Sequence, residues 1–309
     1  MNKAPIALFV YNRPLHTRQT VEALQKNELA AESDLFIFSD APKNPEVSPA
    51  VQEVREYIRS IGGFKSISIV EREENLGLAN SIIDGVTKIC GEYGRIIVLE
   101  DDLVTSPYFL RFMNDALDLY EHEERVISIH GYMFPVKEKV PETFFLRGAD
   151  CWGWATWKRG WDLFEPDGRE LLRQLSMQGF EKEFNYDGAY NLSGMLRSQI
   201  QGEIDSWAIR WYASAFLKGK LTLYSGRSLV QNIGNDNSGT HCGATEMYSG
   251  YVIDQLVAVG GVQIVESLEA RSAVTGFFAA NAAANKTSLL RRVMQRVGNV
   301  GKRWLRWGG

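Results

Sequence analysis

The chain has 309 residues, 45% apolar and 23% charged, with a net charge of −4. This is the balance of a folded globule, long enough for one large α/β domain or two small ones, and it argues against a nucleic-acid partner. Three scattered cysteines, Cys90, Cys151 and Cys242, argue against a disulfide framework or a zinc site and fit reduced, cytosolic thiols.

The first apolar run, Ile6 to Tyr11, reads as a buried strand. A turn follows, in which Asn12 can cap and Pro14 stands where a helix start tolerates proline. Leu35–Asp40 is a second strand with a polar end. Ser48-Pro49 opens a helix whose Val51, Val54, Ile58 and Ile61 fall at spacings of three and four. Ser66–Val70 is a third strand, and Leu78, Ile82, Ile83, Val86 and Ile89 mark another amphipathic helix. Arg95–Glu100 is a fourth strand, Pro107 to Tyr120 a helix, and Val126–His130 a fifth strand. Such alternation implies a mainly parallel sheet covered by helices, whose ligands bind at the carboxyl ends of the strands. Three of those ends carry polar groups: Tyr11-Asn12-Arg13, Ser39-Asp40 and Glu100-Asp101-Asp102.

After residue 131 the alternation fades into aromatics and loops, with one helix near Ser206–Leu217. Residues 1–270 read as one α/β domain, alternating as far as residue 131, with a second half, 132–270, able to extend the sheet. From Arg271 to Gly309 there are eight Lys/Arg and no Asp/Glu, so the body carries −12 once this +8 is set aside. Leu289, Val293, Val297, Val300, Trp304 and Trp307 recur at spacings of four and three among these basic residues. That pattern predicts an amphipathic helix on an anionic membrane surface; the alternative is a helix docked on the acidic body, and Gly298 and Gly301 weaken it in isolation. Pro5 to Tyr11 is too short for a signal peptide, and no stretch approaches ~20 apolar residues, so neither a leader nor a transmembrane helix is expected.

The three carboxylates repel one another, and leaving water costs several kcal/mol for each unpaired ion. One reading leaves them solvated and oriented by a helix N-terminus at Thr105–Pro107. The other makes them a Mg²⁺ or Mn²⁺ site, since these ions take one or two carboxylates plus substrate phosphates. Successive strand residues point to opposite faces, so the three are not equivalent ligands. Asp102 is freest to reach a metal, and Asp101 can meet a ribose hydroxyl.

The stretch from Val98 to Met113, VLEDDLVTSPYFLRFM, resembles the EDD form of the DxD motif in GT-A glycosyltransferases similar to N-acetylglucosaminyltransferase I. FVYNRP, FIFSD, ENLGLANSI and CWGWATWKRGW extend the resemblance over about residues 5–245, to bacterial members, some labelled haemolysin-like. The resemblance implies a GT-A fold and a nucleotide-sugar donor, with residues 1–131 as the nucleotide-binding half and 132–270 as the acceptor and catalytic half. It puts Tyr11, Asn12 and Arg13 on the nucleotide, Asp40 on uracil, and Asn75 to Asn80 in a third nucleotide loop. It makes Asp102 the metal ligand, sets Glu100 by the donor or acceptor, and puts the catalytic base at Asp205 in IDSWAIRW. His241, in NIGNDNSGTH, falls in a late loop that closes on the diphosphate, as a phosphate or metal contact.

Asp205 has a second reading as the N-cap of the helix it precedes. Of the tryptophans in CWGWATWKRGW, Trp157 and Trp161 read as core; Trp152 and Trp154, flanking Gly153, read as facing the donor or acceptor. His130 ends a strand and reads as structural, and His16 and His122 carry no assignment. The sequence therefore predicts a metal-dependent, inverting glycosyltransferase. It would act on a glycan or lipid-linked glycan for a bacterial surface polysaccharide or lipopolysaccharide, on the inner face of the cell membrane. A sugar nucleotidyltransferase is the first rival, but there is no Gly-rich, Lys/Arg-bearing loop near the start to grip a triphosphate. A non-catalytic carbohydrate-binding or haemolysin-like protein is the second, and the intact carboxylates speak against it.

Overall fold

The computed structural model describes residues 3–236 and 247–283. β1 (Ile6–Val10) is buried at every position, as a strand covered on both faces must be. α1 (Pro14–Gln25), β2 (Asp34–Ser39), α2 (Ser48–Ser60), β3 (Ser66–Glu71), α3 (Gly77–Tyr93) and β4 (Arg95–Glu100) follow in strict alternation. The face predicted for α2 is the buried one: Val51, Val54 and Ile58 are covered, and the chain leaves the helix at Ile61. α3 buries Ile82, Val86 and Ile89, and ends at Gly94, whose left-handed backbone (φ 78°) lets its N–H reach the Cys90 carbonyl.

Past the carboxylates the chain forms β5 (Leu103–Thr105), α4 (Phe109–Leu119), β6 (Val126–His130), β7 (Thr143–Arg147) and β8 (Trp154–Trp157). Then come α5 (Lys158–Trp161), α6 (Gly168–Met177), α7 (Glu181–Phe184), α8 (Leu192–Ile200), α9 (Trp207–Leu217), β9 (Leu221–Ser225) and β10 (Val230–Asn232). Residues 268–283 are a last helix, α10.

Eight strands make one sheet in the order β3-β2-β1-β4-β8-β6-β9-β7, and β10 pairs with β5 in a separate ribbon. β3, β2, β1 and β4 are parallel, as are β6 and β9; β8 and β7 run antiparallel to their neighbours. The fold is thus α/β with a mostly parallel sheet flanked by helices. The aromatic-rich half contributes β7, β8 and β9, and β8 inserts between β4 and β6.

Apolar side chains fill both faces. Leu8, Val10 and Leu99 pack on one side with Phe109 and Phe112 of α4. Ala7, Phe9 and Val98 pack on the other with α3 and with Trp207 and Trp211 of α9. α9 is apolar on nearly every side and buried along most of its length, which fixes where its first residue emerges. α10 buries Ala270, Val274 and Phe278 against the second half, and the Phe278 ring stacks on Tyr190 at 4.3 Å. The apolar stripe from Leu289 to Trp307 lies outside the described residues.

Candidate active site

The register brings three strand ends to one edge. Phe9 pairs with Glu100, and Val10 with Ser39, so residues 11–13, 40–41 and 101–102 leave the sheet together. α1 starts at Pro14 with Arg13 in the capping position and no side-chain cap; Asn12 does not cap it. Thr20 of α1 instead donates its hydroxyl to the Asp101 carbonyl (2.9 Å), tying the helix to the carboxylate turn.

Arg13 is the centre of this edge. Its Nη2 hydrogen-bonds Asp101 Oδ1 and lies 3.0 Å from Asp102 Oδ2. Asp101 and Asp102 are only 4% and 9% exposed, so water does little to neutralise them. Burial disfavours the Arg13 charge, but the two carboxylates outweigh it and the guanidinium pKa is raised. Burial raises the Asp101 pKa despite Arg13. Glu100 shares a strand face with Val98, opposite Asp101, and its side chain makes no hydrogen bond or ion pair with the described residues. Burial, then Asp102 and Asp101, push its pKa up to about 8.

The helix start expected at Thr105–Pro107 is displaced. Thr105 belongs to β5, which pairs antiparallel with β10, and α4 begins only at Phe109. That ribbon brings residues 233–236 over the carboxylates. Ile233 N–H donates to the Asp102 carbonyl (2.9 Å), and Gly234 N–H to Asn232 Oδ1 (2.8 Å). A Cβ on Gly234 would collide with Asp102 Oδ2 and stand 2.8 Å from Arg13 Nη1, so only glycine lets this strand end approach so closely. Asp236 lies 3.2 Å from His16 Nε2 on the first turn of α1, giving His16 a partner the sequence did not suggest.

Asp40 builds the adjoining wall. Its Oδ1 accepts from the N–H groups of Ala41 and Leu76 (2.9 Å each). Its Oδ2 accepts from Gly77 N–H (2.9 Å) and Asn75 Nδ2 (3.0 Å). These use the roughly four acceptor sites of a carboxylate. Asp40 therefore anchors the start of α3, which has no side-chain cap on its own first residues, and has no acceptor left over for a base. Asn75 also donates to the Ala41 carbonyl, and Asn80 to that of Leu76; both side chains lie at the surface of this loop.

Asp205 comes to the same place from the other half of the chain. Its Oδ2 lies 3.3 Å from where a Cβ on Gly77 would stand. It is exposed, and it is not the cap of α9: Ser206 is, accepting from Ile209 N–H at 3.3 Å. The capping alternative for Asp205 is thereby removed.

Tyr11 accepts the Lys43 N–H at its hydroxyl (2.9 Å), so it braces the loop after β2. Trp152 is half-buried, with its ring edge-on to Tyr132 (4.7 Å) and Tyr248 (5.4 Å). Its backbone N–H donates to His130 Nε2 (3.1 Å), and burial lowers the His130 pKa to about 3, which keeps that nitrogen an acceptor. Trp154 and Gly153 correct their expectations. Trp154 is 0% exposed and packs among Trp161, Trp207 and Trp211, with its ring stacked on Trp207 at 5.4 Å. Gly153 (φ 65°) is buried, and a Cβ there would lie 2.7 Å from Val230 Cγ2, so its backbone packs against a side chain of β10. Asp150 belongs to no motif that sequence reading could catch. It accepts the Tyr224 hydroxyl (2.7 Å), and its pKa is pushed up to about 6 by burial, with that bond opposing.

His241 lies outside the described residues. Among the described residues no three His, Cys, Asp or Glu converge tightly enough to hold an ion alone. The donor set nevertheless suits Mg²⁺ or Mn²⁺. Two hard carboxylates already converge on one cation, and such ions complete their shell with water and phosphate oxygens.

No protein-family model and no curated protein matches the chain. Among solved structures, S. aureus TarS 1–349 in complex with UDP-GlcNAc aligns over 80% of this chain and 62% of its own, at 11% identity and TM-score 0.42. A Pyrobaculum calidifontis mannosyltransferase, PcManGT, in complex with GDP-Man and Mn²⁺, aligns over 56% and 47%, at 13% identity and TM-score 0.34. The chain thus spans less than two thirds of either. TM-scores this low carry no weight for function, and the residues above stand on their own.

Proposed function

We propose that this chain is a metal-dependent glycosyltransferase that moves a sugar from a nucleotide-sugar donor, a UDP-sugar by preference, to a glycan acceptor. The observation that carries this is the convergence of Asp101 and Asp102 on the Arg13 guanidinium at the carboxyl edge of a parallel sheet, where Asp40 holds the start of α3 and Asp205 lies against Gly77. Asp102, with Asp101 behind it, would hold Mn²⁺ or Mg²⁺; the ion supplies positive charge for the leaving diphosphate without moving a proton. Arg13 adds a permanent charge to the same place. Asp40 is itself the anion at the start of the 17-residue α3, and it fixes the loop from Asn75 to Gly77 at the edge of the site.

Asp205 serves as the general base. It is solvent-facing, free of the capping duty, and next to Gly77, so it can take the proton of an acceptor hydroxyl as the glycosidic bond forms. Attack from the side opposite the diphosphate would invert the anomeric centre. Trp152 and Tyr248, both half-buried and edge-on to each other, offer apolar surface for a sugar ring.

Among the described residues no helix is long and apolar enough to cross a membrane. The basic, tryptophan-bearing segment after residue 284 supports a peripheral site on the inner face of a cell membrane and a lipid-linked acceptor in surface-polysaccharide or lipopolysaccharide synthesis. The test is a panel of nucleotide sugars with Mn²⁺, scored for binding and hydrolysis, with vesicle flotation of the full chain and of a chain cut after Asn281. No binding of any nucleotide sugar would end the transferase reading. Equal flotation of the two chains would end the membrane reading alone.

A further inference from the structure

Arg13 occupies the one point at which both carboxylates meet. We propose that it is a positioning residue that stands in for the divalent cation. It holds Asp101 and Asp102 together until a nucleoside diphosphate draws it away, so that metal and nucleotide bind as a coupled pair. This rests on the metal-dependent reading above.

Four observations carry it. Arg13 touches both carboxylates with a single nitrogen, Nη2, at the point where the two converge. Asp101 and Asp102 are nearly enclosed, so without Arg13 their charges would lie close together with little water. A Cβ on Gly234 would meet both Asp102 Oδ2 and Arg13 Nη1, so this strand end packs directly against the carboxylate and the guanidinium. The Arg13 side chain is 17% exposed, against 6% and 12% for its partners, so of the three it has the most contact with solvent.

A guanidinium does not lose its proton in proteins, so this cation can leave the carboxylates only by moving. A metal arriving alone would break a charge-assisted pair and strand Arg13 without an anion. A diphosphate arriving with the metal gives the guanidinium a phosphate to grip, with the same planar fork that suits a carboxylate. The metal then takes the vacated oxygens. By linkage, each ligand must strengthen the other's binding by the same factor.

The experiment titrates Mn²⁺ into the full chain, following free Mn²⁺ by electron paramagnetic resonance, with and without UDP, for wild type, Arg13→Met and Arg13→Lys. Wild type should bind Mn²⁺ at least about tenfold more tightly with UDP than without it, the scale of a typical coupling between sites. Arg13→Met should bind Mn²⁺ alone about tenfold more tightly than wild type, because a competing charge is gone. Its gain from UDP should shrink. Arg13→Lys keeps a point charge without the fork and should fall between them. Thermal melting gives a second readout: Mn²⁺ alone should raise the melting temperature of Arg13→Met and hardly move that of wild type. Equal affinity of wild type and Arg13→Met for Mn²⁺ alone overturns the proposal and leaves a metal-dependent transferase standing. No Mn²⁺ binding by any form, with or without UDP, overturns both. Should Arg13→Met fail to fold, Arg13→Lys decides, and binding of Mn²⁺ alone no tighter than wild type overturns the proposal.

Discussion

Asp205 and Gly77 are 128 residues apart in sequence, yet Asp205 Oδ2 sits 3.3 Å from where a Gly77 side chain would begin. The exposed carboxylate thus lies against the first residue of α3, whose N–H Asp40 accepts. Asp205→Asn keeps the shape and loses the basicity. It should lower kcat by about 10²-fold or more, with donor affinity retained, as for loss of a general base. Ser206→Ala should do the reverse, costing about 1 kcal/mol of stability through the lost cap with little change in kcat. Steady-state kinetics and thermal melting of the two variants separate the roles, and near-normal turnover in Asp205→Asn would move the base elsewhere.

Asp40→Asn should weaken the fold as well as the site. An amide places an N–H₂ where a carboxylate oxygen now accepts backbone N–H groups from Leu76 or Gly77. Leaving such donors unmatched costs about 1–3 kcal/mol. Donor binding should fall with the loss of melting temperature. An Asp40→Asn protein as stable as wild type would show that the carboxylate is not the anchor of α3.

Gly234→Ala adds one methyl group where Asp102 and Arg13 already stand. The carboxylate or the strand end must shift. A displacement of that order at a catalytic constellation can cost about 10²-fold in turnover. Melting temperature should fall as well, since Gly234 is buried and overpacking such a site costs about 1–3 kcal/mol. Calorimetry with Mn²⁺ and UDP checks the binding half, and unaltered affinity would mean that the close approach is incidental.

Asp150 sets a pH dependence of stability. Its pKa is raised to about 6 by burial, against an unfolded value of about 3.9. A raised acid contributes stability that is fully present below the unfolded value and is lost as pH rises through the folded one. Asp150→Asn removes that loss and keeps an acceptor for Tyr224. The melting temperature of the variant relative to wild type should therefore climb between about pH 4 and pH 6 and then level off. A difference that does not vary with pH would show that Asp150 ionises at no cost.

Trp154 and Trp152 should part company when truncated. Trp154→Ala opens a cavity among Trp161, Trp207 and Trp211 and should cost about 3–5 kcal/mol. Trp152→Ala removes a half-buried ring and should act mainly on ligand binding, which denaturant melts and acceptor kinetics together would reveal.

Local pattern determined much of this protein. The apolar runs of β1, β2, β4 and β6 and the spacing of Val51, Val54 and Ile58 state period and burial directly, because each is a property of neighbouring residues. The carboxylates at the end of β4 are equally legible, because a buried apolar strand that runs straight into three acids must deliver them to the sheet edge. The second half is not. β7, β8 and β9 are four or five residues each, and β8 fits between β4 and β6, two strands that both precede it in the chain; nothing local encodes that insertion. Tertiary closure alone decided that Trp154 is core, that Ser206 and not Asp205 caps α9, and that Asp40 spends its oxygens on α3. It also brought Arg13 across 88 residues to Asp101, and Gly234 against Arg13 and Asp102. Periodicity reports which face a residue shows, but which distant group meets it there depends on how the whole sheet closes.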